Sequence, residues 1–278
     1  MSLAGRGEVF YRHHRHPDPT APTLLLLHGW TADADTQFFS AYEALAERYS
    51  FVAPDHRGHG RGIRSVTSFT LEDVADDAAA LVHQLGVGPV VTVGYSMGGP
   101  VSLLLARRHP DAVAGMVLQA TALEWRATRR DRATWWVLPM LGPALRSWTY
   151  PRIARRAVAR MVGVGNEELA AWLGGELRRN DPIALVQAGR ALSRYDARPF
   201  AAGIGRPAAA LVTTKDRLVR PAKQWALAAA LGAHTETLSA DHLCTLTDQR
   251  AYSAATRRLV DRVVDDIGSS RMPAVAAG

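Results

Sequence analysis

The sequence feature that most constrains the fold is V-V-T-V-G-Y-S-M-G-G at 90–99, where an apolar β-branched run ends in Gly-x-Ser-x-Gly centred on Ser96. The valines of residues 90–93 predict a short buried strand, and residues 100–108 predict a helix that ends before His109-Pro110. A serine between a strand and a helix sits on a sharp turn, and its hydroxyl projects beside bare backbone N–H groups. The pattern therefore predicts a sheet with a nucleophilic serine at the end of one strand.

The first half of the chain and its last third alternate between strand-like and helical patterns. Helical spacing of apolar residues is clearest at 38–48 and 71–85. Strand-like runs occur at 8–12, 23–28, 51–54, 90–94, 114–120, 208–213 and 235–238. This alternation predicts an α/β fold with a mostly parallel central sheet flanked by helices.

The strand rhythm stops between about residues 122 and 198, and helical patterns occupy 151–162, 167–179 and 182–195. A helical insertion between two strands explains this change. We therefore expect three segments, a first core part at 1–121, a helical cap at 122–200 and a second core part at 201–278, with a frayed tail from about 268.

The chain has a formal charge of +7 and a pI near 10, which raises the question of a nucleic-acid partner. Lys215 and Lys223 are the only lysines among 33 basic residues. Such an arginine bias, beside abundant alanine, indicates a GC-rich coding background more than selection for phosphate contacts. We expect a small-molecule substrate and no nucleic acid, while the sequence does not indicate an oligomeric state.

Compartment and membrane signals are also few. The single cysteine, Cys244, excludes an intramolecular disulfide and fits a reducing compartment. No charged region followed by an apolar stretch marks the first residues, so no secretory signal is expected. The longest apolar run, 135–145, is too short to span a bilayer. These features together predict a soluble, cytoplasmic protein.

A nucleophilic serine needs a base and a carboxylate that orients the base, and both should follow strands of the same sheet. Asp216 follows the strand-like run at 208–213, and His242 follows the run at 235–238. Glu124, just beyond the run at 114–120, is the rival acid. Asp241 adjoins the histidine but is interpreted as a solvated loop carboxylate, because neighbours in sequence rarely face the same ring nitrogen.

Five short motifs together make the chain resemble the α/β-hydrolase fold superfamily. They are L-L-L-L-H-G-W at 24–30, P-D-H-R-G-H-G at 54–60, G-Y-S-M-G-G at 94–99, K-D-R at 215–217 and D-H at 241–242. The resemblance covers about residues 8–267 and points to cap-containing serine hydrolases of the esterase or lipase type. It implies a mostly parallel sheet flanked by helices, with the helical cap inserted after the sixth strand.

The resemblance also implies roles for particular residues. Ser96 is expected as the nucleophile, His242 as general base and then acid, and Asp216 as the group that holds the imidazole. The backbone N–H groups of Trp30 and Met97 are expected to form the oxyanion hole, without a metal or cofactor. His28 is expected to support the oxyanion loop, and His56 and His59 to shape the entrance. Substrate contacts are expected from Tyr95, Trp125 and Trp136.

These roles predict a serine hydrolase that cleaves a carboxylic ester through an acyl-enzyme. Serine at the elbow argues against haloalkane dehalogenases and epoxide hydrolases, which resemble this fold but use aspartate. The same residues could instead cleave a carbon–carbon bond or serve a lyase, although Pro100 replaces the basic residue expected in a similar menaquinone-pathway lyase motif. A ligand receptor with residual hydrolase activity is the alternative from another class.

The predicted cap is unusually basic and rich in tryptophan. Residues 121–160 carry nine arginines and two acidic residues. The net charge of this segment is therefore +7, the same as that of the whole chain. Four of the seven tryptophans lie in the same segment, at Trp125, Trp135, Trp136 and Trp148. We interpret these as cap packing with a solvated basic face. The alternative is an apolar acyl-binding tunnel whose basic rim attracts anionic substrates or makes weak contact with membrane surfaces.

Overall fold

A computed structural model describes residues 1–65, 67–126, 128–129, 131–132, 135 and 167–271. The strands are β1 (Ser2–Leu3), β2 (Gly7–Glu8), β3 (Tyr11–His14), β4 (Thr23–Leu27), β5 (Ser50–Pro54), β6 (Val90–Tyr95), β7 (Val113–Gln119), β8 (Ala208–Thr213) and β9 (His234–Leu238). The helices are α1 (Ala34–Ala46), α2 (Leu71–Leu85), α3 (Gly98–Arg108), α4 (Glu167–Leu177), α5 (Pro182–Arg194), α6 (Pro221–Leu231), α7 (Cys244–Thr247) and α8 (Gln249–Arg271).

Seven strands form one sheet in the order β3-β5-β4-β6-β7-β8-β9. Only β3 runs antiparallel to its neighbour, and the other pairs are parallel. This arrangement confirms the predicted α/β fold. Because β4, β6, β7 and β8 run in the same direction, the loops after them meet at one edge of the sheet.

Both faces of the sheet are covered by helices, as the uninterrupted apolar run of β4 predicts. Side chains alternate along a strand, so Leu25 and Leu27 pack in the core shared with α2 and α3. Leu24 and Leu26 pack on the opposite face, in the core shared with α1 and α8. All four leucines are fully buried. The strand that precedes the expected oxyanion loop is thus fixed from both sides.

Two predicted elements differ from the structure near the amino terminus. The predicted strand at 8–12 is divided, because β1 and β2 form a separate two-stranded hairpin and β3 pairs with β5. The helix predicted from residue 38 begins at Ala34, because Asp33 accepts a hydrogen bond from the Thr36 N–H and completes a capping box.

The insertion expected as the cap follows β7, which is the fifth strand of the seven-stranded sheet and not the sixth. The strand-like runs of the sequence also place this strand fifth, so the sixth place came from the resemblance and not from the residues. Helices α4 and α5 lie in the insertion. The predicted helix at 151–162, together with Trp136 and Trp148, lies outside the described residues.

The last helix, α8, continues to Arg271, slightly beyond the point from which the sequence predicts a frayed tail. Near its end, the Ser269 and Ser270 hydroxyls donate to the carbonyls of Asp265 and Asp266. Residues 272–278 lie outside the described part of the chain. Among the described helices, none combines the length and the apolar character needed to cross a membrane.

Candidate active site

Ser96 stands on a strained turn between β6 and α3. Its φ is 50°, in the left-handed region that non-glycine residues seldom adopt. The Ser96 N–H donates to the Gln119 carbonyl at 2.9 Å, and the Thr121 hydroxyl donates to the Ser96 carbonyl at 2.7 Å. The neighbouring strand therefore holds the turn from both sides. Strain of this kind persists only where the surroundings enforce it, and it is frequent at functional sites.

The two glycines of the motif allow the close approach that the turn needs. A Cβ at Gly94 would lie 2.4 Å from the Gly98 carbonyl oxygen. At Gly98 a Cβ would lie 1.9 Å from the Leu27 carbonyl oxygen. Neither contact is compatible with a side chain, so both positions require glycine.

Ser96, His242 and Asp216 form a continuous hydrogen-bonded chain. The His242 Nε2 lies 3.0 Å from the Ser96 Oγ, and the His242 Nδ1 lies 2.7 Å from the Asp216 Oδ2. The Asp216 carboxylate is completely buried, whereas the His242 side chain is 13% exposed. The structure thus brings together the three side chains that the sequence places at the ends of β6, β8 and β9.

The Asp216 carboxylate is saturated with donors. Its Oδ1 accepts from the backbone N–H groups of Leu218 and Val219, each at 2.8 Å. Its Oδ2 accepts from the Thr213 hydroxyl at 3.0 Å and the Gln224 amide at 3.2 Å, in addition to the imidazole. Five donors satisfy an ionised carboxylate without a neighbouring cation.

Tyr95 supports the loop that carries His242. Its hydroxyl donates to the His242 carbonyl at 2.9 Å and lies 3.3 Å from the Cys244 Sγ. Burial raises the pKa of the Cys244 thiol to about 11, which keeps this cysteine protonated at neutral pH. Tyr95, expected as a substrate contact, does line the cavity above Ser96, but its hydroxyl is directed toward this loop.

The expected oxyanion loop lies directly beside Ser96. A Cβ at Gly29 would meet the Ser96 Cβ at 3.3 Å. Among the described hydrogen bonds, none uses the backbone N–H of Trp30 or of Met97. Two unpaired N–H groups next to a buried serine are the donor arrangement that an oxyanion requires.

His28 fixes the first peptide of this loop. Its Nε2 accepts from the His56 N–H at 2.8 Å, so the proton of the neutral ring lies on Nδ1, which donates to the Gly29 carbonyl at 2.8 Å. Burial lowers the pKa of His28 to about 4, and the ring is therefore neutral at pH 7. Because C=O and N–H point in opposite directions in a trans peptide, this bond turns the Trp30 N–H away from His28.

The same loop is tied to the insertion. The Trp30 indole donates to the Leu185 carbonyl of α5 at 2.8 Å. The Asn180 amide donates to the Thr31 carbonyl at 2.9 Å and accepts from the Gly60 N–H at 2.8 Å. Thr31 has a φ of 69°, so Asn180 supports a second strained residue beside the site.

A cavity of about 540 Å³ opens above Ser96 and His242. Its apolar wall comprises Trp30, Trp125, Trp135, Leu173, Leu177, Leu192, Val219 and Leu246, with Leu218 and Leu243 more exposed. Trp125 lines this cavity, and its expected contact with the substrate stays a prediction, while Trp136 is outside the described residues. The size and lining suit a small ligand with an apolar part.

The competing residues take other positions. The Glu124 carboxylate pairs with the Lys223 ammonium at 3.1 Å. Asp241 is exposed and accepts from the Leu243 N–H. His56 and His59 are buried against His28 rather than open to solvent. Within the described residues, no group of three or more histidine, cysteine or carboxylate side chains is arranged to hold a metal ion.

Two curated relatives match parts of the chain. A bifunctional esterase/perhydrolase from Acinetobacter calcoaceticus is 38% identical over 112 residues, which is 40% of each protein. A 2-(acetamidomethylene)succinate hydrolase from Mesorhizobium japonicum is 34% identical over 98 residues, 35% of each protein. The aligned part of the chain thus spans well under half the length of these relatives.

Solved structures resemble the whole fold. An enol-lactonase from Burkholderia xenovorans superposes with a TM-score of 0.80 and 22% identity, covering 94% of this chain and 99% of the other. A thermophilic esterase from Thermogutta terrifontis superposes with a TM-score of 0.77 and 21% identity, covering 92% of this chain and 93% of the other. The sequence model of the alpha/beta hydrolase fold matches residues 22–243, most of the chain. The protein therefore belongs to the alpha/beta hydrolase fold family.

Proposed function

We propose that the protein is a serine hydrolase that cleaves small carboxylic esters with an apolar acyl part. The observation that carries the proposal is the hydrogen-bonded chain from the Ser96 hydroxyl through His242 to Asp216, at the floor of the apolar cavity. The hydrolase and esterase names of the curated relatives agree with this reaction class.

In the proposed reaction the Ser96 Oγ attacks the ester carbonyl while the His242 Nε2 takes the hydroxyl proton. The tetrahedral intermediate collapses as His242 returns that proton to the leaving alcohol, which leaves an acyl group on Ser96. Water then attacks the acyl-enzyme with His242 again as base, and the carboxylic acid and free Ser96 are regenerated. Asp216 stabilises the imidazolium formed in each half-reaction.

The oxyanion of each tetrahedral intermediate would accept from the N–H groups of Trp30 and Met97. Each such donor contributes about 3 kcal/mol to transition-state stabilisation in related chemistry. His28 supports this role because it holds the Gly29 carbonyl, and with it the orientation of the Trp30 N–H.

We further propose that residues 122–200 form the cap over two core parts, 1–121 and 201–278. Helix α4 supplies Leu173 and Leu177 to the cavity wall, and α5 supplies Leu192. Substrate selection would therefore depend on the cap, whereas bond cleavage would depend on the core. Most of the basic segment lies outside the described residues, so its expected weak membrane contact stays a prediction.

The proposal is tested with a fluorophosphonate probe and a series of para-nitrophenyl esters of increasing chain length. The wild type should be labelled and should hydrolyse the esters, and Ser96→Ala should lose both properties. Ser253→Ala, in α8 and outside the cavity lining, is the matched control and should retain both. Equal labelling and turnover of wild type and Ser96→Ala would overturn the proposal.

A further inference from the structure

Arg217 is an exposed cation that lines the same cavity as Ser96 and His242. It follows Asp216 directly in the chain, and adjacent Cα atoms are about 3.8 Å apart. Arg217 and the proposed reaction centre therefore share one cavity. The proposed reaction of Ser96, His242 and Asp216 does not use Arg217.

The carboxylate beside it has no need of this guanidinium. Five other donors fill the Asp216 oxygens, and none of the described hydrogen bonds or ion pairs joins Arg217 to Asp216. Indeed, no hydrogen bond or ion pair of the Arg217 side chain occurs among the described residues. The guanidinium is thus available to a ligand in the cavity.

Among the described residues that line the cavity, the other two cations, Arg220 and Lys223, are already paired. Lys223 lies 2.8 Å from the Asp131 carboxylate and 3.1 Å from the Glu124 carboxylate. Arg220 lies 3.4 Å from Asp131. Within the described part of the chain, two carboxylates therefore match these two cations, and Arg217 adds a positive charge that neither carboxylate pairs with.

We propose that Arg217 binds a carboxylate group of the substrate, so that the preferred ester carries an anionic group several bonds from its carbonyl. This inference rests on the proposed ester hydrolysis at Ser96. A planar guanidinium can hold a carboxylate through two parallel hydrogen bonds, which a lysine ammonium cannot reproduce. The apolar wall would hold the methylene chain between the ester and the carboxylate.

The test compares two esters that differ only in charge: the mono-para-nitrophenyl ester of adipic acid and its neutral terminal amide. Wild type should have the higher kcat/KM for the acid. Arg217→Gln should lower the acid-to-amide ratio of kcat/KM about tenfold, mainly through KM, and Arg217→Lys should keep part of the preference. Raising the salt concentration should lower the ratio of the wild type more than that of Arg217→Gln.

Lys215→Gln is the matched control, because Lys215 is also exposed and adjoins Asp216 but does not line the cavity. It should leave the ratio at the wild-type value. An unchanged ratio in Arg217→Gln, or an equal fall in Lys215→Gln, would overturn the inference even when Ser96→Ala is inactive.

A binding measurement keeps this inference separate from the hydrolysis proposal. Adipic acid monoamide is not an ester, and its affinity can be measured by calorimetry whether or not the protein turns over esters. Arg217→Gln should weaken its binding about tenfold relative to wild type and Lys215→Gln. If Ser96→Ala still hydrolyses esters, the proposed function fails, and this measurement alone decides whether Arg217 binds carboxylates.

Discussion

Two sets of histidines lie near the same edge of the sheet and have opposite surroundings. His242 is partly exposed and faces the cavity, and its Nδ1 is hydrogen-bonded to the buried Asp216 carboxylate. His28, His56 and His59 are buried against one another, with ring centroids of His28 and His56 4.0 Å apart. Burial lowers the pKa of all three buried rings, to about 4 for His28 and about 3 for His59.

The partner of a histidine ring, and not the distance of the ring from the serine, decides what the ring can do. An imidazole whose Nδ1 faces a carboxylate is held in the orientation and tautomer that a general base needs. An imidazole enclosed by other imidazoles and apolar atoms stays neutral and can only donate or accept fixed hydrogen bonds. The first set suits proton transfer, and the second suits the support of a loop.

Removing the charge of Asp216 should have the largest effect. Asp216→Asn keeps the size of the side chain but offers an amide to the His242 Nδ1, which favours the wrong tautomer of the ring. We expect kcat for para-nitrophenyl esters to fall about 10⁴-fold. Asp241→Asn, at the exposed carboxylate next to His242, should stay near the wild-type rate. A loss of less than tenfold in Asp216→Asn would remove the distinction between the two sets of histidines.

The positions of Asp216 and His242 were predictable because they depend on local signals. Each follows a strand-like run, and parallel strands bring such loops to one edge of the sheet. Glu124 also follows a strand-like run, so the preference for Asp216 came from the resemblance; in the structure the Asp216 carboxylate lies 2.7 Å from the His242 Nδ1, whereas the Glu124 carboxylate pairs with Lys223. The core strands were predictable for a related reason, since burial on both faces leaves an uninterrupted apolar run.

Contacts between distant parts of the chain could not be predicted, because no local sequence pattern indicates them. Asn180 precedes the helix start at Asp181-Pro182, which predicts a turn but not its bonds to Thr31 and Gly60. The burial of His56 and His59 was missed because a glycine-rich loop with charged neighbours resembles an exposed entrance. Only the packed fold shows that this loop turns inward against His28.

Loss of His28 should have the next largest effect, and it should act through stability. His28→Leu leaves the His56 N–H and the Gly29 carbonyl without their buried partner, at a cost of about 3 kcal/mol in the free energy of unfolding. Chemical denaturation measures this loss. His83→Leu, at an exposed histidine of α2, should change stability by less than about 0.5 kcal/mol. Equal stability of the two variants would show that His28 has no structural role.

The smallest effect should appear in the pH dependence of stability, where a buried neutral histidine has a definite sign. An unfolded histidine binds a proton below about pH 6.5, whereas the folded His59, with a pKa of about 3, does not. The unfolded state then binds more protons, and His59 makes stability fall as pH decreases, by up to about 1.4 kcal/mol per pH unit. Burial raises the pKa of Asp33 to about 6, and this carboxyl acts in the opposite direction between pH 6 and 4.

Because Asp33 is present in both proteins, the difference between wild type and His59→Asn isolates the histidine. The asparagine amide can still donate to the Arg57 carbonyl, the bond that the His59 Nδ1 makes at 3.0 Å. We expect the unfolding free energy of the variant to change less steeply with pH between 7 and 5. Near pH 5 the two slopes should differ by about 1.4 kcal/mol per pH unit, which corresponds to one proton. Parallel curves would mean that His59 takes up its proton in the folded state, and the buried rings would then be titrating groups like any exposed histidine.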